Sequence, residues 1–166
     1  VGPNPYSVIS ADFNSDGNND IAVTNQGSSS ISILLGNGNG FFQNAISYPL
    51  AFVPLELISG DFNNDSKLDL AVTNQSLCIL LGTGLGTFGA ASYFGNAMSG
   101  ADLVSGDFNG DSNSDIAVAN GSSNMVTLFL GSGLGNFATP VNFSCGTSPR
   151  SIDAGDLNSD GHLDLV

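Results

Sequence analysis

One acidic motif, present four times at nearly fixed spacing, restricts this chain more than any other feature. The copies read DFNSDGNNDIAV from Asp12, DFNNDSKLDLAV from Asp61, DFNGDSNSDIAV from Asp107 and DLNSDGHLDLV from Asp156, with starts 49, 46 and 49 residues apart. A second element keeps step with it: ILLGNGNGFF (Ile33 to Phe42), ILLGTGLGTF (Ile79 to Phe88) and LFLGSGLGNF (Leu128 to Phe137). Self-similarity at a period of about 40–50 residues is the signature of stacked repeats, each burying its apolar faces against its neighbours.

Each period reads as four short strands. In the first these are Tyr6 to Ala11, Asp20 to Asn25, Ser30 to Gly36 and Gln43 to Leu50, separated by the acidic loop, a Gly-Ser turn and a Gly-rich hairpin. The second repeats the plan as LELISG, DLAVTN, LCILLG and GAASYF. No useful window shows the i, i+3, i+4, i+7 spacing of an amphipathic helix. Four antiparallel strands per unit of this length is the pattern of a β-propeller blade, with a β-sandwich of similar strands as the alternative. The expected fold is all-β: three complete four-stranded blades at about 6–50, 55–96 and 101–145, and the first half of a fourth at 150–166.

The formal net charge is −13, with Lys67 and Arg150 set against fifteen acidic residues, of which only Glu56, Asp102 and Asp153 lie outside the four motifs. Such a chain is repelled by nucleic acid and anionic lipid. It has no apolar run long enough to span a membrane. The N-terminal VGPNPYSV lacks the basic and apolar regions of a signal peptide, as a mature or excised segment would.

In every motif, positions 1, 5 and 9 are Asp and position 3 is Asn. Oxygen donors on alternate residues of a tight loop suit Ca2+, which takes about 6–8 oxygens in flexible geometry. Mg2+ demands strict octahedral geometry and keeps its waters, and the loops lack the Cys and His clusters of a zinc site. Turn capping by Asp and Asn would explain one such loop, but not three like charges held together four times over. Four Ca2+ ions would bring the net charge to about −5, an ordinary value for a soluble domain. An EF-hand or dockerin loop needs Glu at position 12 and flanking helices, whereas position 12 is Val23, Val72 or Val118 and strands flank the loop.

The acidic loop running into D-[IL]-A-V, followed by the LLGxGxGxF hairpin, resembles the FG-GAP (VCBS-type) repeat of integrin-α-like β-propellers over nearly the whole chain. The resemblance implies Ca2+, up to four ions, one per loop. Its ligand positions fall on Asp12, Asn14, Asp16, Asn18 (carbonyl) and Asp20; on Asp61, Asn63, Asp65, Lys67 (carbonyl) and Asp69; on Asp107, Asn109, Asp111, Asn113 (carbonyl) and Asp115; and on Asp156, Asn158, Asp160, His162 (carbonyl) and Asp164. Position 6 departs from the pattern, being Gly17 and Gly161 in the outer copies but Ser66 and Ser112 in the inner ones. A positive φ there costs Ser about 1 kcal/mol more than Gly. The string that names the family is only approximate here, as TFGAA and NFATP.

The remaining motifs read as structure. GNGNG, GTGLG and GSGLG match neither G-x-G-x-x-G nor a P-loop and read as hairpin turns. Phe42, Phe88 and Phe137 after those turns, and Phe13, Phe62, Phe108 and Leu157 at position 2 of the loops, recur once per repeat as inter-blade packing would. His162, the one histidine, sits inside an acidic loop, so a catalytic triad has no base. Cys78 reads as a core residue and Cys145 as a loop residue, with a disulfide between them left open; sequons occur at Asn64, Asn74, Asn120 and Asn142.

The expectation is thus a non-enzymatic, calcium-stabilised propeller segment, extracellular or at the cell surface, acting in protein interaction or adhesion. The alternatives are a lectin-like carbohydrate binder, against which the lack of Trp counts, and the propeller part of a secreted enzyme using Ca2+. A protein or glycan is the expected ligand. Three and a half blades leave open edges, so the rest of a longer chain or further copies are expected to close the ring.

Overall fold

The computed structural model describes residues 1–95 and 100–166. It is all-β. Strands β1 (Pro5–Ala11), β2 (Asp20–Asn25), β3 (Ser30–Leu34) and β4 (Ile46–Pro49) form one antiparallel sheet in chain order. The next sheet is β5 (Leu57–Gly60), β6 (Asp69–Thr73), β7 (Leu77–Leu80) and β8 (Ser92–Phe94), and the third is β9 (Gly100–Gly106), β10 (Asp115–Asn120), β11 (Met125–Phe129) and β12 (Val141–Ser144). A two-stranded sheet of β13 (Ala154–Gly155) and β14 (Asp164–Leu165) follows. These are three four-stranded blades and the first half of a fourth. Asn96, the expected end of the second blade, lies outside the described residues.

The second strand of each blade is its buried centre. Ile116 to Ala119 are fully buried, as are Leu70 to Val72, because both faces of these strands are covered. That is why they read as continuous apolar runs rather than alternating ones. The last strands, β4, β8 and β12, are largely exposed. They are also shorter than expected: β4 begins at Ile46 rather than Gln43. The hairpin closes instead through isolated bridges, Gly36 to Phe42, Gly82 to Phe88 and Gly131 to Phe137, and the chain runs outside the ladder before β4.

Blades meet through apolar faces. Phe13, Ala22, Ile31 and Ile33 of the first join Leu57, Leu70, Val72, Leu80 and Phe88 of the second in one cluster. Phe62, Ala71, Leu77 and Ile79 then join Leu103, Ile116, Val118 and Phe129 of the third. Each fully buried aliphatic side chain stabilises by about 1.5–3 kcal/mol. Phe13 packs edge-on against Phe88 with centroids 5.6 Å apart, and Phe62 is tilted on Phe137 at 6.3 Å. The same junctions carry a backbone bond, from Gly86 N–H to Phe13 O and from Gly135 N–H to Phe62 O, each 3.0 Å. Inter-blade packing therefore holds for these aromatics. Phe42 and Leu157, expected to pack likewise, are exposed instead, at 41% and 65%, with no neighbouring blade on their side among the described residues.

Cys78 is buried in β7, its thiol pushed up to about 12 by burial, and Cys145 is exposed; both are free. Among the described residues no helix is long and apolar enough to cross a membrane.

Candidate metal-binding loops

Each acidic loop connects the first strand of a blade to its buried second strand, and position 1 organises the turn. Asp12 Oδ2 accepts the Gly17 N–H at 2.8 Å while its Oδ1 accepts those of Asn14 and Asp16. Asp61 Oδ2 holds Ser66 at 2.7 Å, Asp107 Oδ2 holds Ser112 at 2.8 Å and Asp156 Oδ2 holds Gly161 at 2.9 Å. Position 5 accepts the position-7 N–H in all four: Asp16 from Asn18, Asp65 from Lys67, Asp111 from Asn113 and Asp160 from His162, at 2.8–3.0 Å. Position 3 contributes its amide oxygen to the position-5 N–H, as Asn14, Asn63, Asn109 and Asn158 all show. Position 6 has positive φ throughout, +83° at Gly17, +62° at Ser66, +67° at Ser112 and +87° at Gly161. The inner serines therefore do carry the strain expected of them.

Position 9 behaves differently. Asp20, Asp69 and Asp115 are fully buried. Their Oδ2 atoms accept the position-2 N–H of Phe13, Phe62 and Phe108 at 2.9, 2.9 and 3.0 Å. Their Oδ1 atoms accept the N–H of Gly36, Gly82 and Gly131, each at 2.7 Å. Asp164 makes the first of these bonds, to Leu157. Each carboxylate thus ties its own loop to the hairpin of the same blade. A Cβ on Gly36, Gly82 or Gly131 would collide with the carbonyl oxygen of Asn19, Leu68 or Ser114, so only glycine permits the approach. The sequence reading missed this partnership, although the invariable LLG or FLG spelling in the three copies was its signal.

The carboxyls divide accordingly. Backbone N–H donors, that of Ser112 foremost for Asp107 and that of Gly161 for Asp156, hold these groups below the usual carboxylate range. Asp16 and Asp160 are lowered chiefly by the N–H of Asn18 and His162. Burial pushes Asp69 and Asp115 up, and the other two carboxylates of the same loop add to that.

Among the described residues no three carboxylate, imidazole or thiol side chains are gathered closely enough to hold a metal ion. What the loops present is a pre-turned backbone carrying carboxylate and amide oxygens, several with unused lone pairs. That donor set is of the hard type that fits Ca2+. Positions 1, 3, 5 and 7 lie on the turn itself; position 9 ends it, buried in the first three loops with its oxygens on backbone N–H groups.

Fold and loops together define a class, a run of β-propeller blades with one acidic loop before the central strand of each. The family model described as FG-GAP-like repeat matches residues 12–72, 61–118 and 107–166, and the chain belongs to that family. Among solved structures it is similar to an Agrocybe aegerita lectin determined for its specific recognition of non-reducing terminal N-acetylglucosamine, with TM-score 0.63, 17% identity, and coverage of 95% of this chain and 45% of that one. It is also similar to BBS1N in complex with ARL6DN, with TM-score 0.65, 17% identity, and coverage of 100% and 52%. A second structure of that complex gives 0.58 at 19% identity with the same coverage. These likenesses are of fold alone. The chain spans about half the length of the solved chains it matches. No curated protein matches it in sequence.

Proposed function

We propose that this chain is a calcium-stabilised segment of an extracellular β-propeller, serving as a protein-interaction or adhesion module. One observation carries the reading. Every loop sets oxygen donors on a pre-turned backbone at the surface, and among the described residues a single ammonium, that of Lys67, is paired with any of them. A divalent cation would supply the missing positive charge, held by positions 1, 3, 5 and 9 with the position-7 carbonyl. It would fix the turn that delivers each central strand, and no catalytic step is assigned to the chain. Extracellular modules bind Ca2+ at about 10⁻⁴–10⁻³ M, which suits short exposed loops. That BBS1N is known in a complex with a protein supports protein interaction as the role. The lectin neighbour favours glycan binding as the second reading. Calorimetric titration with Ca2+ tests the metal: several bound ions per chain are expected, and no uptake would overturn the proposal. A glycan array separates the two readings of the partner, since glycan capture favours the lectin-like one.

A further inference from the structure

Position 7 is where the loops differ in charge: Asn18, Lys67, Asn113 and His162. In the first three loops its side chain lies over a hairpin glycine. A Cβ on Gly38 would strike Asn18 Oδ1, one on Gly133 would strike Asn113 Oδ1, and one on Gly84 would stand 3.0 Å from Lys67 Cδ. The Lys67 stem is thereby laid against the hairpin of its own blade, and its ammonium donates to Asp65 Oδ2 at 3.1 Å, the one ion pair among the described residues. The matching oxygens elsewhere, Asp16 Oδ2 and Asp111 Oδ2, receive a neutral amide N–H from Asn14 and Asn109, each at 2.9 Å. Among the first three loops, only the second holds a positive charge of its own against a position-5 carboxylate.

We propose that Lys67 is a built-in competitor for the cation at the second loop, which makes that loop the last of the first three to fill. The inference rests on the calcium reading above. An ammonium a few ångströms from a divalent ion repels it, and at water-like dielectric with ordinary salt this corresponds to about a tenfold loss of affinity. The pair is exposed, and such pairs are individually weak. Lys67 therefore delays binding rather than abolishing it, giving the middle blade a higher calcium threshold than its neighbours.

The backbone supplies a separate reporter for each loop, because the position-6 N–H of Gly17, Ser66, Ser112 and Gly161 donates to the position-1 carboxylate in every copy. Ser66 and Ser112 share residue type and positive φ, so their comparison cancels backbone strain. The experiment is a Ca2+ titration followed by amide NMR on the whole chain. In the wild type the Ser66 amide should reach its midpoint at about tenfold higher Ca2+ than Ser112. Lys67→Gln should bring the two midpoints together, and Asn113→Lys should move Ser112 up to join Ser66. Coincident midpoints in the wild type, or a gap that Lys67→Gln leaves unchanged, would overturn the role of Lys67 while leaving calcium binding in place. If none of the four amides responds, the calcium reading fails and this inference with it.

Discussion

Within one loop, three aspartates do two different jobs. Asp115 has both oxygens on backbone N–H groups, that of Gly131 buried and that of Phe108 half-buried, so truncation orphans two donors. Each orphaned donor costs about 1–3 kcal/mol. Asp115→Ala should therefore lose about 2–5 kcal/mol, lowering Tm by roughly 5–15 °C with or without Ca2+. Asp111 is exposed, and its partners, the Asn113 N–H and the Asn109 amide, can turn to water. Asp111→Ala should remove one Ca2+ from the calorimetric stoichiometry while hardly moving the melt in chelator. Asp102→Ala is the control outside the loops, since Asp102 accepts from Ser151 and Ile152 instead. Equal loss of Ca2+ from the Asp102 and Asp111 variants would show that general acidity, not the loop, binds metal. Titration of the metal-free protein should also separate the two jobs. Carboxyl carbon shifts should place Asp107 below the ordinary carboxylate value, because the Ser112 N–H favours its anion, and Asp115 above it, because burial disfavours its anion.

Between elements, the hairpin glycine and the acidic loop form one unit. A methyl group on Gly82 would meet the Leu68 carbonyl, rigid backbone that cannot move aside, and would pull the Gly82 N–H from Asp69. Gly40 has φ +85° but open space around it. Gly82→Ala should thus cost about 3 kcal/mol or more, and Gly40→Ala only about 1 kcal/mol for the left-handed conformation. Denaturant midpoints distinguish them, and similar losses would mean that turn strain, not the closure on the loop, decides. The strand plan itself was legible, since apolar runs such as DIAV and LCIL recur in phase with the loops and nothing in them competes for helix. The strand ends were not, because Gln43 to Ala45 look like strand but follow a hairpin that has already closed at Phe42. Spacing alone found all four loops. It could not give the direction of each carboxylate: Asp12 and Asp20 look equivalent in sequence, yet one shapes an exposed turn and the other is fully buried. Nor could repetition say that Phe42 and Leu157, unlike Phe88 and Phe13, stay exposed among the described residues.

At the scale of the molecule, a charge of −13 concentrated in four loops makes stability depend on the ionic medium in two separable ways. Self-repulsion is relieved by any salt, since the Debye length falls from roughly 10 Å at 0.1 M to about 3 Å at 1 M. A built site responds instead to one ion at low concentration. Binding confined to the folded state stabilises by RT ln(1 + [L]/Kd), about 2.7 kcal/mol per site at a hundredfold excess over Kd. For a chain of this size that is roughly 5–10 °C in Tm for each loop filled. Melting should therefore be run in chelator, in millimolar Ca2+, in millimolar Mg2+ and in NaCl, with ionic strength matched throughout. Ca2+ should raise Tm well above the other three, with Mg2+ giving less because the loops offer it no regular octahedron. Four coincident melting curves would mean that the acidic loops merely repel one another and that the fold needs screening, not a bound ion.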